Sequence, residues 1–93
     1  MWRIVEHRRI DKQISPVPKE ILKRYEKWKD IAMISGPVGL RAIKGFHDEA
    51  LRGEWKDHRS SRLGLQYRVR YRVVAAEQAF QVVSITAHDY RRK

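Results

Sequence analysis

The chain has 93 residues, enough for one small domain with a modest core and near the size at which stability becomes marginal. A hydrophobic share of 42% is ordinary for a folded protein and excludes disorder throughout, while 21 Lys and Arg against 11 Asp and Glu leave a formal net charge of +10. The absence of cysteine excludes disulfides and thiolate zinc sites. No apolar run approaches a membrane span, and residues 1–5 lack the apolar core of a signal peptide, so the expectation is a soluble cytoplasmic protein with no membrane partner.

In chain order, residues 2–6 read as a short first strand and residues 8–14 as a turn of helix at most. Ser15-Pro16-Val17-Pro18 marks a helix start, with Ser15 as a candidate cap and proline tolerated in the first turn. Residues 19–34 form the clear helix: Ile21, Tyr25, Trp28 and Ala32 keep helical spacing, Leu22 and Ile31 widen the stripe, and Lys23, Lys27 and Asp30 fall mostly off it. Gly36-Pro37 ends that helix. Residues 37–53 read as a connector with a short helical turn near 40–43, and residues 55–63 as a very polar strand with Lys56, His58, Ser60 and Arg62 on one face and Trp55, Arg59 and Ser61 on the other.

After a turn at Gly64-Leu65, residues 66–74 alternate strictly. Tyr67, Val69, Tyr71 and Val73 would face a core, while Gln66, Arg68, Arg70 and Arg72 share the other face. A turn at Ala75-Ala76-Glu77-Gln78 leads into Ala79–Ala87, where Phe80, Val82, Val83 and Ile85 put apolar groups on both faces, as in a central strand. The order is strand, helix, then three hairpin-connected strands. It predicts a single α+β domain over 1–93, an antiparallel-dominated sheet of about four strands with N-terminal helices packed on one face.

The charge is not a basic tail: residues 1–51 hold 11 basic and 7 acidic side chains, and residues 52–93 hold 10 and 4. Such a domain attracts polyanions, whether nucleic acid, acidic protein segments or an anionic surface. Like charges on one strand face repel, so the arginines of residues 66–74 are either solvated or set to receive an anion, and the charges of Lys56, His58, Arg59 and Arg62 extend that choice to the neighbouring strand. Trp55, Tyr67 and Tyr71 interleave with arginines as on single-strand RNA surfaces, although the two tyrosines also fit the buried face. His47-Asp48-Glu49 lacks a second ligand cluster at metal-binding spacing, so a surface histidine is the simpler reading. His88-Asp89-Tyr90 offers proton donors and acceptors suited to phosphate chemistry.

Four segments together resemble the RelE/ParE superfamily, the small toxins of bacterial type II toxin–antitoxin modules, and within it the YoeB- and YafQ-like RNases. They are Gly45-Phe46-His47-Asp48-Glu49-Ala50-Leu51-Arg52-Gly53-Glu54-Trp55-Lys56, Arg59-Ser60-Ser61-Arg62-Leu63, the alternating strand from Gln66 to Val73, and Ile85-Thr86-Ala87-His88-Asp89-Tyr90. The resemblance covers the second half of the chain; the first half matches in element order. It implies a RelE-like fold and a metal-free mRNA endoribonuclease that needs no cofactor. It also implies action in the A site of the small ribosomal subunit and inhibition by a cognate antitoxin with an acidic segment. By position, Glu49 would be the general base, Arg68 the phosphate-stabilising arginine, His88 the acid and Tyr90 the terminal aromatic. Arg62 stands where YafQ-like members have a histidine, and Gln66 replaces their acidic residue, which favours the YoeB-like assignment. Lys56, Arg59, Arg70, Arg72, Arg91 and Arg92 would hold RNA. A ParE-like gyrase poison, which needs no His/Glu pair, and a non-catalytic RNA- or ribosome-binding module are the alternatives.

Overall fold

A computed structural model describes residues 1–87. Its elements are β1 (Arg3–Glu6), α1 (Ile10–Ile14), α2 (Lys19–Arg41), β2 (Glu49–Ala50), β3 (Arg59–Arg62), β4 (Tyr67–Val74) and β5 (Ala79–Ala87), with short 3-10 turns at Lys44–Phe46, Gly53–Trp55 and Ala75–Glu77. The strands form one five-stranded sheet in the order β1-β5-β4-β3-β2. β1 runs parallel to β5, and the other neighbouring pairs are antiparallel. The α+β class and the antiparallel bias are as the sequence predicts. The fifth strand is β2, two residues long, inside the segment read above as a connector.

The helical stripe is the seam of the core. Tyr25, Trp28 and Ala32 are buried, and Ile21, Leu22 and Ile31 pack partly buried against them. Trp28 meets Tyr71 of β4 and Phe80 of β5 edge-on, with ring centroids 5.2 and 5.9 Å away. Such pairs add about 0.5–1.5 kcal/mol beyond the area they bury. Val69, Tyr71, Phe80, Val82 and Ile85 complete the layer, so the alternation of β4 and the central place of β5 are both realised. Between Arg70 and Tyr71 the β4–β5 register shifts, which keeps Tyr71 and Val82 on the core face after an odd residue on β5.

Two boundaries differ from the sequence expectation, each for a local reason. Ser15 does not cap α2: it lies in helical conformation as the C-cap of α1, and Pro18, whose carbonyl accepts from Ile21 and Leu22 N–H groups, precedes α2. The polar strand starts at Arg59 rather than residue 55, because Gly53 and Asp57, both with positive φ, wrap residues 53–57 into turns. Lys56 and His58 are therefore not strand residues. Within β3 Ser60 and Ser61 are both buried, on opposite faces.

Gly36 breaks α2 as expected, at φ 68° and ψ −168°, and Pro37 starts a last helical segment to Arg41. The break also admits the Trp2 side chain: a Cβ on Gly36 would lie 2.7 Å from Trp2 Nε1. Among the described residues no helix is long and apolar enough to cross a membrane. Gly36→Ala is expected to cost about 2–4 kcal/mol, the sum of a backbone region closed to L-residues and an overpacked contact. Urea unfolding reads this as a lower midpoint at unchanged slope, and an unmoved midpoint would contradict it.

Candidate functional site

Register sorts the polar residues onto the two faces of the sheet, because residues paired across strands share a face. Ser61 pairs with Val69 and Arg59 with Tyr71, so both belong to the core face. The other face carries one row of Glu49, Ser60, Arg70 and Ser84 and a second of Arg62, Arg68 and Thr86. The Glu49 and Arg68 side chains approach to 3.9 Å between Oε2 and Nη1. Arg70 lies over the Trp55 ring, its guanidinium carbon 4.5 Å from the centroid. The two polar side-chain atoms that are buried without a hydrogen-bond partner among the described residues, Arg62 Nε and Ser84 Oγ, both belong to this face.

The core face holds a different polar group. The Asp48 side chain is fully buried and accepts hydrogen bonds from Arg59 Nε at 2.6 Å, from Ser61 Oγ at 2.7 Å and from the Tyr71 hydroxyl. Ser61 Oγ in turn accepts from Trp28 Nε1 at 2.9 Å, which ties the network to α2. Burial pushes the Tyr71 hydroxyl above the usual tyrosine range, and the hydrogen bond to Asp48 and its charge push it further. Burial works against the Arg59 guanidinium, but the Asp48 hydrogen bond and charge outweigh it, and Arg59 holds its proton more tightly than a free arginine. One helical turn away on the same stripe of α2, burial and the Glu6 carboxylate likewise raise the Tyr25 hydroxyl.

No protein-family model and no curated protein sequence matches the chain. Solved structures do match it. A chain of the archaeal RelE-RelB complex from Pyrococcus horikoshii OT3 superposes with a TM-score of 0.76 at 22% identity, over 96% of this chain and 97% of that one. The YoeB/ParE toxin from Agrobacterium tumefaciens gives 0.73 at 17% identity, over 94% and 99%. A chain of the E. coli DinJ-YafQ toxin-antitoxin complex gives 0.74 at 14%, over 95% and 94%. The fold is that of RelE. At these identities the likeness is one of fold, and it extends over 94–96% of the chain, including the first half where the sequence matched in element order only.

On this RelE fold Glu49, Arg62, Arg68 and Arg70 come together on one sheet face, while exposed Arg72 lies two residues further along β4. Arg59 does not join them; it lies on the opposite face, bound to Asp48. Lys56 is exposed at the end of the 3-10 turn that carries Trp55, and Gln66 lies exposed just before β4. His88, Tyr90, Arg91 and Arg92 fall outside the described residues. Among the described residues no group of three or more His, Cys, Asp or Glu could hold a metal ion, and the Asp48 oxygens are occupied by protein donors. Sequence reasoning missed Asp48 as an anchor and Trp55 as the partner of Arg70. An acid followed at intervals by Arg59, Ser61 and Tyr71, all of one strand parity, was the available signal for the first.

Asp48→Ala is expected to destabilise the fold by about 3–5 kcal/mol, since it strands a guanidinium and two hydroxyls in the interior; urea unfolding checks it. The raised tyrosines predict an alkaline limit. In the unfolded chain both ionise near 10, whereas in the fold they keep their protons to higher pH. The folded state then binds more protons above that value, so stability is intact below it and falls as pH rises, by about 1.4 kcal/mol per pH unit for each tyrosine. Thermal melts across the alkaline range should show this fall, less steep in Tyr71→Phe, and a flat profile would contradict it.

Proposed function

We propose that this protein is a toxin of a type II toxin–antitoxin pair that cleaves mRNA on the ribosome. The observation that carries the reading is a carboxylate and a guanidinium, Glu49 and Arg68, 3.9 Å apart on a cationic sheet face of a RelE fold. RNA cleavage by its own ribose needs a base for the 2′-hydroxyl, cations for the charge that builds on phosphorus, and an acid for the leaving oxygen. In the proposal Glu49 takes the 2′-hydroxyl proton as that oxygen bonds to the adjacent phosphorus. Arg68, with Arg62 beside it, holds the phosphorane oxygens. The bond to the downstream 5′-oxygen breaks, and His88, which follows β5 directly in sequence, gives that oxygen its proton. The products are a 2′,3′-cyclic phosphate and a 5′-hydroxyl, and every bond change is served by protein groups.

Tyr90 flanks the reacting nucleotide in this scheme, and Lys56, Arg70, Arg72, Arg91 and Arg92 hold the RNA backbone. Arg59 supports the site from below through Asp48. The partner that restrains the toxin is a cognate antitoxin whose acidic segment covers the same arginines. Support comes from the net charge of +10 and from RelE-RelB and DinJ-YafQ, both solved as complexes.

Purified protein added to a translation reaction should cut mRNA at discrete positions that primer extension maps. Arg68→Ala and His88→Ala should each slow cutting by about 100-fold or more, and Glu49→Gln by a similar factor. Intact mRNA, or cutting undiminished in the Arg68→Ala, His88→Ala double variant, would overturn the reading. Loss of DNA gyrase supercoiling in place of mRNA cleavage would move the protein to the ParE activity.

A further inference from the structure

The surroundings of Arg70 are not explained by the cleavage step. It lies two residues from Arg68 on the same face of β4, a separation of about 6.5 Å along the strand. That is comparable to the distance between successive phosphates of an extended RNA strand. Its charge has no acidic counterpart among the described residues. Arg59 is bound to Asp48, Arg68 reaches Glu49 and Arg3 reaches Glu77, whereas the register neighbours of Arg70 are Ser60 and Ser84. Ser84 is 4% exposed, and its Oγ has no hydrogen-bond partner among the described residues.

Trp55 is what holds Arg70. The indole is fixed from its own backbone: Trp55 N–H donates to the Arg52 carbonyl at 3.2 Å, its carbonyl accepts from His58 N–H at 3.0 Å, and the His58 ring stands against it edge-on at 5.3 Å. A guanidinium stacked on an aromatic face keeps its N–H donors in their own plane, pointing outward from the stack. Such a group is oriented before the ligand arrives and still has donors for a forked contact with two phosphate oxygens.

We propose that Trp55 is a positioning residue that fixes Arg70 as a second phosphate subsite, one nucleotide away from the phosphate held by Arg68. The proposal rests on the reading of this face as RNA-binding and adds to it a residue and a ligand group. Trp55 acts through Arg70 and touches no reacting atom.

The test uses the full chain and a fluorescent, uncleavable 2′-O-methyl RNA pentamer, with each phosphate in turn replaced by a neutral methylphosphonate. Fluorescence anisotropy at low salt gives the affinities. In the wild type the two neighbouring positions that meet Arg68 and Arg70 should each lose about tenfold in affinity on neutralisation, as expected for contacts to a charged donor, whatever the other cations add elsewhere along the strand. In Arg70→Ala and in Trp55→Ala one of these sensitivities should vanish and the other remain, and the two substitutions combined should do no more than either alone. The slope of log affinity against log salt should become shallower by about 0.7 in each. Trp55→Phe, which keeps an aromatic face, should retain both sensitive positions. If Trp55→Ala does not fold, Arg70→Lys takes its place, keeping the charge without the planar stack, and should lose the second position. One sensitive position in the wild type, abolished by Arg68→Ala, would overturn the subsite and leave the proposed function standing. Two positions that both survive Trp55→Ala would overturn the role of Trp55. No sensitive position at all would overturn the subsite and the RNA reading of the face together.

Discussion

The Asp48 carboxylate, taken out of water and held by Arg59, Ser61 and Tyr71, is the constraint on which the candidate site depends. An isolated buried carboxylate is costly, and here the cost is offset by a guanidinium and two hydroxyls, with Trp28 completing Ser61. The network binds the segment before β2 to β3, β4 and α2 at once. Because successive residues of an extended chain point to opposite faces, driving Asp48 inward turns Glu49 outward. Glu49 then lies across from Ser60 and within reach of Arg68. The proposed base is thus turned to its face by its neighbour in the chain and meets Arg68 there, while its side chain stays largely exposed.

The sheet divides the two kinds of arginine. On the core face Arg59 serves the fold, neutralised by an interior carboxylate. On the other face Arg62, Arg68 and Arg70 stand side by side at a cost in mutual repulsion that an arriving polyanion would relieve. Two local devices moderate that cost: the Glu49 carboxylate beside Arg68 and the Trp55 ring beneath Arg70. Next to Arg70 stand neutral serines rather than acids, and Arg62 Nε and Ser84 Oγ have no hydrogen-bond partner among the described residues.

The helix stripe, the Gly36 stop and the two-faced β4 were legible in the sequence because each rests on a local period or a backbone preference that tertiary contacts reinforced. The helix stripe survived because Tyr25, Trp28 and Ala32 face the one apolar layer available. The bounds of β3 were not legible, since positive φ at Asp57 carries no pattern of its own and polar residues run unbroken from 56 to 62. β2 is too short to show a period and exists only through its pairing with β3. Arg59 and Arg62 look alike as letters; parity relative to Tyr71 and Arg68 separates them, and parity follows from the register. Asp48 reads as a ligand or a surface acid until its partners, 11 to 23 residues away, fold around it.

In the proposed function this face promotes attack by the ribose itself on the next phosphate. The most direct measurement programs ribosomes with an mRNA carrying one 2′-deoxy nucleotide immediately upstream of a mapped cut. That bond should stay intact while neighbouring mapped cuts persist. Cleavage of the deoxy-substituted bond at the wild-type rate would contradict it.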